Sequence, residues 1–92
     1  MELRWTEEAA ADLERIADYL FERTPAHASE LVLAIYDGST ALQSFPYRGR
    51  PGKKGGTREL VLSPLPYLVV YRIIGDRIQI LRILHGAQRW PD

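Results

Sequence analysis

Residues 57–90 read TRELVLSPLPYLVVYRIIGDRIQILRILHGAQRW, and the fold turns on them. Tyr67–Ile74 and Arg77–His85 are two runs rich in Val, Ile, Leu and Tyr, which suit a pleated, half-buried surface. Only Gly75-Asp76 separates them. Glycine supplies the positive φ that a tight primed turn requires, so the pattern predicts a β-hairpin.

Counting outward from that turn sets Ile74 opposite Arg77, Ile73 opposite Ile78, Tyr71 opposite Ile80, Val69 opposite Arg82 and Tyr67 opposite Leu84. Alternation then defines two faces. One holds Tyr67, Val69, Tyr71, Ile73, Ile78, Ile80, Arg82 and Leu84, and its apolar character assigns it to the core beneath helices. The other holds Leu68, Val70, Arg72, Ile74, Gln79, Leu81, Ile83 and His85. This mixed face is either a partly wet outer surface or a seat for a partner.

Upstream, Glu2–Trp5 reads as an edge strand. Thr6 then suits a helix N-cap, with Glu7 and Glu8 in the first turn where acids favour the helix dipole. Ala9, Leu13, Ile16 and Leu20, widened by Ala10, Ala17 and Phe21, make an amphipathic helix ending near Arg23. Its outer face carries Glu8, Asp12, Glu14, Asp18 and Glu22, which read as solvated. Thr24-Pro25 suits the cap and first position of a second helix running to about Ser44. Ala28, Leu31, Ile35, Leu42 and Phe45 form its stripe, and Gly38 within it marks close packing. Residues 47–56, YRGRPGKKGG, form a basic loop without an acid. Residues 57–62 form a strand, stopped by Ser63-Pro64-Leu65-Pro66. The order β-α-α-β-β-β predicts a small single α+β domain over 1–92, an antiparallel sheet with a helical hairpin packed on one face.

A 92-residue chain buries only ~60–65% of its unfolded surface, so modest stability is expected. It has no cysteine, no apolar run approaching a membrane span and no signal-like start, which predicts a soluble cytoplasmic protein. The two histidines, His27 and His85, lie in unrelated elements, so neither a metal site nor a cofactor is indicated. The last glycine of the basic loop is not followed by Lys-Ser/Thr, which excludes a P-loop. No nucleophile motif occurs. Residues 1–46 hold three arginines against nine acids, whereas residues 47–92 hold nine cations against three acids. Either the halves pair their charges internally, or the second half presents a basic surface to nucleic acid or an acidic partner.

Any site therefore lies in the basic, aromatic second half. Candidates are Arg58, Arg72, Arg82, His85, Gln88 and Trp90. Each has a plainer role open to it: Arg82 as a stem over the core rim, Trp90 as a lid on the core edge, His85 as the end of a strand.

The GRPG…GTREL segment, the PYLVVYRI strand, the ILRILHGAQRW ending and the opening WTEEAAADLERIADYL together resemble the RelE/ParE superfamily of bacterial type II toxin–antitoxin toxins. The likeness covers nearly the whole chain. It implies a toxin neutralised by a cognate antitoxin protein, as a hetero-oligomer. ParE-like members are thought to poison DNA gyrase. RelE-like members cut mRNA on the ribosome with a metal-free site of Lys/Arg residues and a Tyr or His. There, cations offset charge on the phosphate and a side chain moves the 2′-OH proton. A ribonuclease reading would use His85, Arg58, Lys53 and Lys54. This chain departs from that pattern: Ser63-Pro64 stands where a basic residue is expected, and no Tyr follows His85. The Leu84-His85-Gly86 ending resembles the ParE branch, with Arg50, Arg58, Arg72, His85, Gln88 and Trp90 as target-binding residues. A non-toxic small binding module remains the third reading.

Overall fold

The computed structural model describes residues 1–86 and 88–91. The elements are β1 (Glu2–Trp5), α1 (Glu7–Arg23), α2 (Ala28–Thr40) with a 3-10 turn (Ala41–Gln43), β2 (Arg50–Pro51), β3 (Arg58–Val61), β4 (Tyr67–Ile74) and β5 (Arg77–His85). The sheet order is β1-β5-β4-β3-β2. Strands β3 to β5 form the expected antiparallel meander; β2, a two-residue strand inside the expected loop 47–56, adds to β3 antiparallel, and β1 joins β5 in parallel, so the sheet is mixed. A parallel neighbour needs a crossover, and here the helices and the rest of the sheet lie between β1 and β5.

Thr6 caps α1 as its position suggests, its hydroxyl accepting from the Ala9 N–H at 3.1 Å. Thr24 closes α1 rather than opening α2, which begins at Ala28 after a turn. Pro25 thus sits in the connection, not in the first helical turn. Ala28, Ile35 and Leu42 are buried as the stripe requires, but Phe45 lies past the last turn and is exposed. Ala10 and Phe21 are likewise exposed. Gly38 does not mark the expected close packing of helix on helix; the close neighbour is instead Leu62, just past β3, whose Cδ2 would stand 2.8 Å from a Cβ there.

The hairpin turn holds Gly75 at φ 61°, and the register runs as counted from Ile74–Arg77 to Tyr71–Ile80. Tyr71 and Ile80 are fully buried, and Arg72 is exposed. Beyond that point the register changes. Val70 pairs with Arg82, Val69 with Ile83 and Tyr67 with His85, leaving Leu81 as the extra residue of a β-bulge. The expected pairs Val69–Arg82 and Tyr67–Leu84 are therefore displaced by one. The cause lies at the edge of β5, where β1 ends. Thr6 takes two consecutive carbonyls, its N–H donating to Ile80 O and its hydroxyl to Leu81 O. A regular strand cannot turn two successive carbonyls to the same side.

The bulge flips the end of β5. Ile83, assigned to the mixed face, joins the core with Ala9, Ile35, Leu42, Tyr67, Val69 and Tyr71. His85 follows it to the helix side, and Leu84 passes to the outer face opposite Leu68. The outer face is also less open than expected, since Val70, Leu84 and Glu59 are buried there. Full burial of each Val, Leu or Ile contributes about 1.5–3 kcal/mol.

The basic loop is fastened at its start. Tyr71 OH donates to Pro46 O at 2.7 Å and accepts from Gly49 N at 2.9 Å. A Cβ on Gly49 would stand 2.7 Å from the Tyr71 ring and 2.9 Å from Glu59 O, with no flexible atom to yield. Gly49→Ala should therefore lower stability by about 1–3 kcal/mol, or roughly 4–8 °C in Tm per kcal/mol, in thermal denaturation. Gly55, whose Cβ would meet nothing within 4 Å, should tolerate Ala with little change.

Candidate functional site

Past Gly49 the loop crosses to the outer face and closes on a buried carboxylate. Glu59, 3% exposed, accepts from Arg50 at 3.2 Å through one oxygen and from the Lys53 N–H at 3.0 Å through the other. Thr57 fixes the far side: Gly52 N–H donates to Thr57 O, and Thr57 N–H and hydroxyl both donate to Lys54 O. These bonds satisfy the turn internally and leave the Lys53 and Lys54 side chains in solvent.

Two hollows open on this side, with Trp90 in the wall of each. One, of about 290 Å³, gathers Arg50, Lys53, Glu59, His85, Gln88 and Trp90. The other, of about 410 Å³, has Glu8, Lys54, Gly56, Arg72, Arg82 and Trp90 in its wall. Arg72 is steadied across the hairpin by Gln79, its Nε donating to Oε1 at 2.7 Å. The tail is folded back on β5: His85 N–H donates to Gln88 Oε1 at 2.7 Å and Gln88 N–H to His85 O at 2.9 Å.

The structure thus brings together five of the sequence candidates and divides the rest. Lys54 and Arg72 lie in the second hollow. Arg58 lies in neither. Its guanidinium donates to the carbonyls of Tyr47 and Gly49 and stacks 5.3 Å from the Tyr47 ring centroid. It is a structural clamp on the loop.

A third hollow, of about 480 Å³, opens on the helix side between α1 and the end of the sheet, with Tyr19, Leu31, Leu65, Tyr67 and His85 in its wall. The His85 ring meets Tyr67 edge-on at 5.8 Å, so it stands on the side away from Arg72 and Gln79, contrary to the sequence reading. Burial, and then the nearby Tyr19 phenol, push the Tyr67 phenol above its ordinary range.

Sequence reasoning missed Asp12. It was placed on the solvated face of α1, yet it is 3% exposed. Its carboxylate accepts from Arg82 Nε at 2.7 Å, Arg82 Nη2 at 3.1 Å, the Ile83 N–H at 3.0 Å and Arg15. The available signal was spacing: Asp12 lies three residues after Ala9 and four before Ile16, inside the apolar stripe. Glu59 was missed too: it is 3% exposed on the outer face because the loop closes over it through Arg50 and the Lys53 N–H.

With this geometry in view, comparison with known proteins places the chain. Residues 3–90 match the model of the ParE toxin of the type II toxin–antitoxin system parDE. The chain belongs to that family. It is 40% identical to "Putative toxin Y4kP" of Sinorhizobium fredii, over 97% of this chain and 92% of the relative. It is 36% identical to "Toxin RelE2" of Caulobacter vibrioides, over 91% and 93%. A solved structure described as "Chromosomal ParDE TA system from P. aeruginosa" superposes with TM-score 0.84 at 38% identity, covering 92% of this chain and 95% of that one. Among the described residues, no helix is long and apolar enough to cross a membrane.

Two outcomes follow. Asp12→Ala removes the carboxylate that Arg82, Arg15 and the Ile83 N–H share, and should cost about 3–5 kcal/mol. Asp12→Asn should keep Ile83 amide protection in hydrogen exchange while losing part of that stability. Tyr67 favours its neutral form when folded. Its contribution is complete below the unfolded value near ~10 and is lost as pH rises through the higher folded value. Ultraviolet titration should show a late-ionising phenol that Tyr67→Phe removes.

Proposed function

We propose that residues 1–92 form one toxin domain that acts in the cytoplasm by binding DNA gyrase, and that a cognate antitoxin protein neutralises it. The observation that carries this reading over RNA cleavage is the commitment of Arg58. Of the four side chains a ribonuclease would use, Arg58 is tied to the loop carbonyls, Lys54 opens on a separate hollow, and only Lys53 and His85 share one. A phosphoryl-transfer site needs its cations and proton carrier converging on one phosphate. An arrangement of this kind favours recognition over catalysis.

The antitoxin part rests on the unpartnered side of the helices. Trp5 and Tyr36 stack at 5.8 Å beside Ala10, Leu13 and Ala17, making an apolar hollow of about 360 Å³. Phe21 and Leu33 are exposed on the same two helices. An amphipathic segment laid there would bury this surface, giving a hetero-oligomer. The similarity to a ParDE structure supports such a partner.

The second reading, an mRNA endonuclease, is favoured by the hollow that Lys53 and His85 share with Glu59 and by relatives named RelE. A pulse of expression separates the two. DNA-damage induction with intact transcripts, and loss of supercoiling activity when purified chain is added to gyrase, are expected. Transcript cleavage abolished by His85→Ala would replace gyrase by mRNA. Co-expression with a cognate antitoxin should raise the soluble yield severalfold.

A further inference from the structure

The charge division of the sequence survives folding. Among the described residues, only two ion pairs join the acidic first half to the basic second: Asp12–Arg82 and the longer Glu2–Arg77 at 3.9 Å. Arg50 pairs within its own half, with Glu59. Lys53 and Lys54 form no ion pair among the described residues and are exposed. Of the two acids in the walls of the two hollows beside the loop, Glu59 has both carboxylate oxygens turned to Arg50 and the Lys53 amide, and Glu8 shares the second hollow with Lys54, Arg72 and Arg82.

The loop tip adds main-chain donors. Gly55 and Gly56 have open space where a Cβ would stand, and Gly56 holds φ 81°. Neither glycine N–H is used in the bonds that close the turn. Successive free amides beside cations form an anion-binding concavity. Lys53 and Lys54 are adjacent in sequence yet line different hollows, and the half-buried indole of Trp90 stands in the wall of both. Arg72 lies beyond Lys54, and the exposed Arg89 precedes Trp90.

We propose that this face binds the phosphodiester backbone of a single nucleic-acid strand, with Lys53 and Lys54 meeting phosphates in the two hollows and Trp90 between them as a stacking wall. Cations along a groove with an interposed aromatic ring suit a strand whose bases are free to stack. An acidic peptide would meet the cations but gain nothing from Trp90 and little from the glycine amides. The inference goes beyond the proposed target, because it concerns binding by the isolated chain, with no gyrase and no cleavage.

The test is fluorescence anisotropy with a short labelled oligonucleotide, as single-stranded DNA, single-stranded RNA and duplex, each from low to physiological salt. Single strands of DNA, RNA or both should bind more tightly than duplex, with affinity falling with salt at a log–log slope of about −1.4 to −2 for two to three phosphates. The double variant Lys53→Glu/Lys54→Glu should lose at least tenfold in affinity with its Tm unchanged. Trp90→Phe should remove the emission quench that oligonucleotide causes, while Trp5 continues to report the fold. Absence of binding at low salt, tighter binding of duplex, unchanged affinity in the lysine variant, or equal displacement by polyglutamate would each overturn the proposal. None of these results bears on gyrase inhibition, which is read separately.

Discussion

One carboxylate governs the far end of the sheet. Asp12 leaves the water-facing role its charge suggests and meets Arg82, Arg15 and the Ile83 amide on an edge that β1 is too short to cover. A buried charge is tolerated only when its partners are many and well placed. Here they are held by Thr6, which grips Ile80 and Leu81 one helical entry earlier. Together the two contacts form a pair of pins between α1 and β5. They stabilise the bulge, and the bulge decides which face each later residue presents. His85 turns toward the helices and Leu84 toward the loop because of bonds made by residues some seventy positions away.

The same logic of committed polar groups organises the loop. Tyr71 belongs to the core by burial, yet its hydroxyl ends on Pro46 and Gly49. Arg58 completes the clamp from the neighbouring strand. With its first residues anchored there, the chain swings across β3 and settles on Glu59. The glycines give the turn its path, and the cations that take no part in holding it project outward. A loop that looks flexible by composition is therefore fixed at both ends, and its free charges are displayed in a set arrangement.

Local patterns in the sequence determine much of this and leave the rest open. The hairpin, its turn glycine and its faces as far as Tyr71 and Ile80 follow from alternation, a property of adjacent residues. The start and end of α1 follow from Thr6, the early glutamates and the Thr24-Pro25 break. The bulge does not, because nothing near Leu81 in the chain announces it; its cause is the geometry of Thr6 and Asp12. Charge misled in both directions. Asp12 looked solvated and is buried, while Arg58 looked available and is spent on carbonyls. Gathering Arg50, Lys53, His85, Gln88 and Trp90 around one hollow likewise needed the bulge and the loop closure together.

A sheet between two unlike layers explains why the charge asymmetry persists rather than cancelling. The acidic residues lie mainly on α1 and α2, which cover one face; the free cations lie on the loop and tail, which cover the other. Side chains on opposite layers are separated by the sheet and its packed core, about 10 Å for stacked layers, roughly a Debye length at physiological salt. They are too distant to pair strongly. Among the described residues the halves meet in ion pairs only at the β5 edge, closely at Asp12–Arg82 and more loosely at Glu2–Arg77, while Glu8 reaches the wall of the hollow that holds Lys54. Away from these points each layer keeps its own field. One side therefore offers apolar helix grooves rimmed with acids, and the other a cationic loop beside an indole. On the two proposals made above, a protein laid on the helices would leave the basic face open to a second partner of different chemistry.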